Sequence, residues 1–324
     1  MRRIFMRKPK PPKSEIIKSC ADLTAKDHAQ AGGHHVDLKP KGNWKKRNFV
    51  TNILLPPLFK KRAGKIIKPE FPSLNPKDIG LTWIGHASFL IQTAKHSMLV
   101  DPNWANWLKI VKRIRQPGLH AADLPAIDLV MVTHAHFDHL DRRSLKRVAA
   151  NQPIIVPFDV GNLVHDLGYK SVHELGYWET FEFDGVKVTL TPCHHWGARV
   201  LHDTHRGFGG FIIEAHGRTI FHCGDTAYFP GFKEIGSRFN IDVALLPIGA
   251  YDPPSGREVH MNPEQALQAM DELGAKVMVP MHYGTFKLTY EPLDEPLMRL
   301  LEGAKKHGVL DRVIVMLEGE PLIF

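Results

Sequence analysis

Six consecutive residues carry four side chains that bind metals: His134, His136, Asp138 and His139, in the order His-x-His-x-Asp-His. Imidazole and carboxylate both suit a borderline-soft cation such as Zn²⁺. Just upstream, Ile127, Leu129, Val130, Met131 and Val132 form the kind of short apolar run that makes a buried strand. A strand that stops and opens into such a loop can aim several donors into one hole. Six residues cannot easily wrap all four side chains around one ion, so two neighbouring ions are the natural reading. The plainer alternative is a His-rich surface loop, which four donors packed behind a strand disfavour.

Three further donors share one feature, that each directly follows a strand pattern. His195 follows 186–191, Asp225 follows 219–222 through Gly224, and His282 follows 277–281. Taken singly, each would more often be structural. Together with the loop they are better explained as metal ligands, because residues at one edge of a sheet converge although distant in sequence. The expected metal set is therefore His134, His136, Asp138, His139, His195, Asp225 and His282.

The elements that must position these donors can be read in order. Residues 1–42 look irregular, broken by Pro9, Pro11, Pro12 and the Gly32–Gly33 pair. Residues 43–59 mix basic and bulky apolar groups, which suits either a membrane surface or an arm packed on the body. Residues 60–80, with Pro69, Pro72 and Pro76, read as a linker. Short strands at 81–84, 88–92 and 98–100, joined by tight turns, indicate an antiparallel or mixed sheet. Residues 103–126 read as loop, 142–150 as helix, 153–157 as a buried strand and 160–167 as a second helix. Strands at 171–175 and 179–183 lead through the Asp184–Gly185 hairpin signal into 186–191. Another hairpin spans 208–222, and a strand covers 243–248. Asn262 and Pro263 are an N-cap and a first helical residue, and Gly274 closes that helix. A strand at 276–281, a helix around Leu297–Ala304 and a strand at 313–317 complete the pattern.

With these motifs in hand, the chain resembles the metallo-β-lactamase fold superfamily over roughly 80–320. The resemblance implies an α/β fold, a four-layer αβ/βα sandwich of two mixed sheets flanked by helices. It implies one metal on His134, His136 and His195, another on Asp138, His139 and His282, and Asp225 bridging them. Iron-using oxidoreductases of the superfamily usually carry Glu where His136 stands, so the histidine favours a zinc hydrolase. A closer resemblance runs through residues 82–87, 134–141, His195–Trp196, 224–226, 247–251, 259–264 and 282–286. These look like N-acyl-phosphatidylethanolamine-hydrolysing phospholipase D and its bacterial relatives, membrane-associated zinc phosphodiesterases that are often dimeric. His194 and Tyr283 depart from the residues common there.

That resemblance implies hydrolysis of N-acyl-phosphatidylethanolamine-like phospholipids to phosphatidic acid and N-acylethanolamine. Two Zn²⁺ would generate a bridging hydroxide that attacks phosphorus in line. Fe or Mn would be accepted by the same donors. The catalytic expectation falls on Asp138, Asp225 and His260. His260 would hydrogen-bond the phosphate or protonate the leaving alcohol, unless it serves only to pack the helix entry. Tyr251 and Tyr283 would donate to a phosphate oxygen or else pack in the core or at the rim. His86 and Asp101 stand where residues that orient ligands would stand. A soluble lactonase or sugar-phosphate hydrolase on the same centre is the alternative.

Charge divides the chain in two. The 324 residues carry a net +8, yet residues 1–70 hold 18 basic and 5 acidic residues, a net +13, and the remainder is net −5. The expected organisation is a basic N-terminal arm and linker over 1–80 and a hydrolase domain over 81–324. The arm suits a peripheral membrane contact, an acidic partner or a solvated tail. The acidic body disfavours an extended nucleic-acid track, so no nucleic acid is expected as partner; a phospholipid or other phosphodiester substrate and a homodimer are. Cys20, Cys193 and Cys223 are few and widely spaced, which fits a reducing compartment. No run approaches the length of a membrane-spanning helix and no secretory signal is evident. The expected location is cytoplasmic, with peripheral membrane contact.

Overall fold

In the computed structural model, residues 16–18, 48–200 and 203–324 are described. The irregular stretch expected over 1–42 lies outside them, apart from the strand Ile16–Lys18. The strands in chain order are β1 (Ile16–Lys18), β2 (Gly80–Gly85), β3 (Ser88–Gln92), β4 (Ser97–Val100), β5 (Trp107–Leu108), β6 (Val111–Lys112), β7 (Leu129–Met131) and β8 (Ile154–Pro157). They continue as β9 (Val172–Leu175), β10 (Thr180–Phe183), β11 (Val186–Thr191), β12 (Gly210–Ala215), β13 (Arg218–His222), β14 (Val243–Pro247), β15 (Val277–Met281) and β16 (Pro321–Ile323). The helices are α1 (Leu55–Leu58), α2 (Arg142–Val148), α3 (Gly231–Arg238), α4 (Pro263–Glu272) and α5 (Glu295–Lys306).

Two mixed sheets face each other. The first runs β1-β9-β8-β7-β4-β3-β2-β16 and the second β10-β11-β12-β13-β14-β15. Alternation along the strands explains the layers. Phe89, Ile91, Met98, Val100, Leu129 and Met131 of the first sheet join Val188, Leu190, Phe211 and Ile213 of the second in one core. The residues between them, Leu90, Leu99 and Val130, point the other way and pack with Leu145 and Val148 of α2. On the far side of the second sheet Phe232, Ile235, Ala266, Met270, Leu300 and Ala304 bring α3, α4 and α5 onto the same large core. The result is the expected αβ/βα sandwich. Each fully buried Leu, Ile or Phe contributes roughly 1.5–3 kcal/mol, so sheets buried on both faces are what hold it together.

The direction of the strands matters most for the site. β4 pairs with β7 in parallel, and β7 with β8. β13, β14 and β15 are parallel, and β11 runs the same way because β12 is antiparallel to both β11 and β13. The loops after β2, β4, β7, β11, β13, β14 and β15 hold the residues described below. In open α/β sheets ligands gather beyond the carboxyl ends of strands.

Several local expectations are corrected. The helix over 160–167 is only a short turn at Gly161–Leu163, where Gly161 and buried β-branched Val160 and Val164 give a poor helix start. The helix over 142–150 stops at Val148. The strand over 313–317 shrinks to a single bridge between Val313 and Met278. The true last strand, β16, pairs with β2 in the other sheet. It is three residues long and begins with proline, which is tolerated at an edge. Helix α3 carries a weak sequence pattern because Gly231 and Gly236 dilute it, although Phe232 and Ile235 bury its inner face. The 103–126 loop contains the β5–β6 ribbon. Within 43–59, Val50–Leu54 and α1 are helical, with Ile53 and Pro57 buried. The 60–80 stretch is extended and tied to the body: Ala63 N donates to Ile114 O at 2.8 Å, and Ile67 N to Gly118 O at 2.8 Å.

Candidate metal centre

The loop after β7 is fixed before it reaches the donors. The buried Asp101 carboxylate accepts from Thr133 N at 2.7 Å, from Thr133 Oγ1 at 2.6 Å and from His139 Nδ1 at 2.7 Å. Asn103 Nδ2 donates to Asp138 O at 2.7 Å. Arg199 Nη1 donates to Ala135 O at 2.9 Å and Leu140 O at 2.6 Å. Asp141 then caps α2 by accepting from Ser144 N at 2.9 Å. The backbone turns hard at this edge: His86, Asp101 and His282 have positive φ of 58°, 46° and 59°. Such a conformation costs a non-glycine residue energy and persists only where the surroundings enforce it. At Gly224, φ is 64° and a Cβ would meet Gly209 O at 2.7 Å, so only glycine admits the turn that delivers Asp225.

All seven expected ligands converge. One group of donors is His134, His136 and His195; another is Asp138, His139 and His282, joined by His86. In the first, His136 Nδ1 lies 2.9 Å from His134 Nε2 and 3.2 Å from His195 Nε2. In the second, Asp138 Oδ2 lies 3.4 Å from His282 Nε2, 3.8 Å from His139 Nε2 and 3.0 Å from His86 Nε2. Asp225 sits between the groups. Its Oδ2 is 3.0 Å from His282 Nε2, 3.1 Å from His139 Nε2, 3.8 Å from His134 Nε2 and 4.0 Å from His195 Nε2.

Hydrogen bonds set the ring tautomers. His195 Nδ1 donates to Val259 O at 3.0 Å, which leaves Nε2 as the lone-pair nitrogen facing the site. His139 Nδ1 is likewise held by Asp101, with Nε2 facing inward. Thr133 Oγ1, already donating to Asp101, is 3.0 Å from His134 Nδ1 and can accept from it.

The electrostatics match a cation site. Burial pushes His136 and His195 down to about 3, with neighbouring histidines adding to the effect, so these rings are neutral donors. His282 loses by burial but gains more from Asp225 and Asp138, which push it up to about 9. His139 is also raised against the cost of burial, by Asp225, Asp101 and Asp138. Two protons on these rings thus stand where the carboxylates ask for positive charge, a task a divalent ion performs. Several buried atoms find no hydrogen-bond partner among the described residues: His136 Nε2, Asp225 Oδ1, His260 Nδ1 and His282 Nδ1 and Nε2. The short approaches of His282 Nε2 to the carboxylates therefore lack hydrogen-bond geometry. Unpaired buried donors and acceptors are costly, and coordination would satisfy them. The donor set fits metal ions.

His260 joins the centre, its Nδ1 4.0 Å from Asp225 Oδ2, in a group with His195. A capping box at Asn262 and Gln265 fixes the loop that carries it. Tyr251 is not among the converging donors. Its hydroxyl donates to Glu295 Oε1 at 2.7 Å, and Arg299 lies over its ring at 4.9 Å. Tyr283 stacks on Trp83 with centroids 5.3 Å apart and lines cavities beside His282. His86 stands closer than expected, among the donors themselves. Asn103, Thr133 and Arg199, which shape the loop, escaped the sequence reading. Thr133 was adjacent to the motif, whereas Asn103 and Arg199 carried no spacing signal.

Comparison with known proteins gives one consistent picture. A model of the β-lactamase superfamily domain matches residues 96–283. The N-acyl-phosphatidylethanolamine-hydrolyzing phospholipase D 1 of Caenorhabditis elegans is 32% identical over 243 residues, 68% of this chain and 68% of that one. A metal-dependent hydrolase of Thermodesulfovibrio yellowstonii is 30% identical over 232 residues, 66% of this chain and 82% of that one. The solved structure of a metallo hydrolase from Ignicoccus hospitalis superposes with a TM-score of 0.58 at 26% identity, covering 76% of this chain and 98% of that one.

Proposed function

This chain belongs to the β-lactamase superfamily, as a metal-dependent hydrolase of the metallo-β-lactamase fold, and we propose that its reaction is phosphodiester hydrolysis of phospholipase D type. The substrate would be an N-acyl-phosphatidylethanolamine-like phospholipid, and the products phosphatidic acid and an N-acylethanolamine. Likeness to the nematode phospholipase D supports this reading, but the likeness to other metal-dependent hydrolases is of similar strength. The observation that carries it is a mostly apolar cavity of about 400 Å³ lined in part by Tyr283 and Gly284, the two residues that follow His282. Leu297, Met298, Leu301 and Leu317 line it, which suits an acyl chain and not a sugar.

His134, His136 and His195 would hold one cation, Asp138, His139 and His282 a second, with Asp225 shared between them. Two Zn²⁺ bound there would acidify a water and polarise the phosphate oxygens. The chain's own residues do the positioning. Asp101, Thr133 and the Val259 carbonyl keep three imidazoles in the required tautomers. Asp225 Oδ1 has no hydrogen-bond partner among the described residues, which leaves it for a cation or the attacking water. His260 is held neutral by burial, with a pKa of about 3, so it suits a hydrogen bond to a phosphate or leaving-group oxygen.

A peripheral lipid contact fits the same reading. Phe59 is 87% exposed and Ile110 62%, with Leu55, Leu58 and Trp107 also exposed. The two segments are joined by Lys112 Nζ, which donates to Pro57 O at 3.0 Å and to Lys60 O at 2.7 Å. Exposed Lys60, Lys61 and Lys109 flank these apolar groups, a pairing that favours anionic lipid surfaces.

The test is metal-loaded protein against two panels, N-acyl-phosphatidylethanolamines in mixed micelles and soluble lactones and sugar phosphates. Release of N-acylethanolamine from micelles is expected. Turnover confined to the soluble panel would replace the lipid reading with the lactonase or sugar-phosphate alternative.

A further inference from the structure

Beside the metal loop lies a second cavity, of about 500 Å³, whose chemistry the hydrolytic centre does not use. Trp104 and Trp107 wall it, and its charged lining is Lys109, Arg142, Arg143, Arg147, Arg199 and one carboxylate, Asp141. The partners can be accounted for one by one. Asp141 caps α2 through Oδ2, which accepts from Ser144 N and Ser144 Oγ, and its charge offsets one cation of the lining. Arg142 is paired with Asp166 at 2.7 Å. Arg199 gives its hydrogen bonds to the carbonyls of Ala135 and Leu140. Among the described residues Lys109, Arg143 and Arg147 have no carboxylate partner, and all three are exposed.

Two of these cations crowd one ring. Lys109 Nζ lies 4.5 Å from the Phe137 centroid and the Arg199 guanidinium 3.9 Å from it. A π face attracts a cation but does not neutralise it. Five cations thus face two carboxylates, Asp141 in the lining and Asp166 on Arg142, which leaves three positive charges unbalanced in one concave site, and like charges held together repel unless an anion joins them. Arginine forks and a lysine point charge are the side chains that recognise phosphate. The cavity is large enough for a phosphate carrying an organic group, and exposed Trp107 offers that group a flat apolar wall.

We propose that this cleft is a second binding site, separate from the metal centre, for a phosphate monoester. Arg143, Arg147 and Lys109 grip the phosphate, and Trp107 covers the organic part. Phe137 lies between His136 and Asp138, so the site touches the metal loop without sharing a ligand. The inference stands whichever bond the centre cleaves, because it is read by binding and not by turnover.

The phosphate monoester has two sources, a soluble ester or the headgroup of phosphatidic acid in a membrane. The experiment uses the full chain with its metals, as wild type, R143A/R147A and Lys109→Asn. Asn is chosen because residue 109 has a positive φ of 55°, which asparagine tolerates. Calorimetry with glycerol 3-phosphate reads the soluble source. Sedimentation with phosphatidylcholine vesicles containing phosphatidic acid reads the membrane source. For whichever source binds, Kd is expected to rise about 10-fold or more in R143A/R147A, and by a smaller factor in the Asn variant. Circular dichroism checks the fold, and the two variants alter different elements, so one misfolded protein does not remove the test. An unchanged Kd for both sources in both variants would overturn the proposal. Equal weakening on phosphatidylserine vesicles of matched charge would also overturn it, reducing the cleft to a solvated basic face.

Discussion

The two ends of the second sheet carry clusters of charged and titratable residues that behave in opposite ways. At the amino ends of β13 and β14, Asp242 accepts from Thr219 N at 2.8 Å and Lys276 Nζ at 2.6 Å, with Arg218 Nη1 at 3.5 Å. Its cationic partners reach it from solvent, and the cluster is satisfied. At the carboxyl ends of β13 and β15, Asp225 and His282 are buried, Asp225 follows a left-handed Gly224 and His282 is itself left-handed, and they leave nitrogens and an oxygen unpaired. One end is built as a structural clasp. The other holds donors in excess of what the protein can satisfy, which is the mark of a site that serves a ligand. Mutation should therefore split the two: function lost at one end, a little stability lost at the other.

The largest effect is expected from Asp225→Ala. Its carboxylate serves both donor groups, so turnover should fall on the order of 10³-fold or more. Metal content measured by mass spectrometry should fall with it. Turnover within a few-fold of wild type would mean that Asp225 is only a buried counter-charge, and the contrast between the ends would fail. His260→Gln should cost about 10²-fold in kcat with metal content unchanged, since Gln keeps a donor but not the ring. A loss of metal instead would move His260 from the substrate to the ligands. Asp101→Asn comes next. It removes the carboxylate behind His139 but none behind His195, whose partner is the Val259 carbonyl. Metal affinity should weaken about 10–100-fold at the Asp138–His139–His282 group, and by less at the other group, whose His134 Asp101 reaches only through Thr133. A chelator titration should then show two unequal steps.

The site was far more legible in the sequence than the frame around it. A donor cannot be exchanged without changing the chemistry, so His134, His136, Asp138 and His139 announce themselves, and strand ends supplied His195, Asp225 and His282. The scaffold that shapes the loop has no such constraint on type. Arg199 works by donating to two carbonyls, and Asn103 by donating to one, roles that leave no spacing rule. Long periodic segments such as α4 and α5 were readable, whereas α3, diluted by glycines, and the three-residue β16 were set by tertiary contacts. Tyr251 shows a choice that the sequence leaves open. A tyrosine next to a motif can meet a phosphate or pack, and here it is buried with its hydroxyl on Glu295, 44 residues away.

The smallest effect is expected at the satisfied end. Burial works to raise the Asp242 carboxyl, but Lys276, Thr219 N and Arg218 outweigh it and hold the group below its ordinary value. A depressed carboxylate contributes stability that is fully present above its unfolded pKa, about 4, and is lost as pH falls through the lower folded value. Asp242→Asn should therefore lower stability at pH 7 by no more than about 1 kcal/mol, because the partners are exposed and screened. The difference from wild type should shrink as the medium is acidified below pH of about 4, since protonation removes from wild type what the mutation removed already. Denaturant melts across that range read the stability, and kcat at neutral pH should stay at the wild-type value. If kcat fell with Asp242→Asn while stability did not, the strands would be transmitting strain from one end to the other, and the clasp would belong to the catalytic machinery after all.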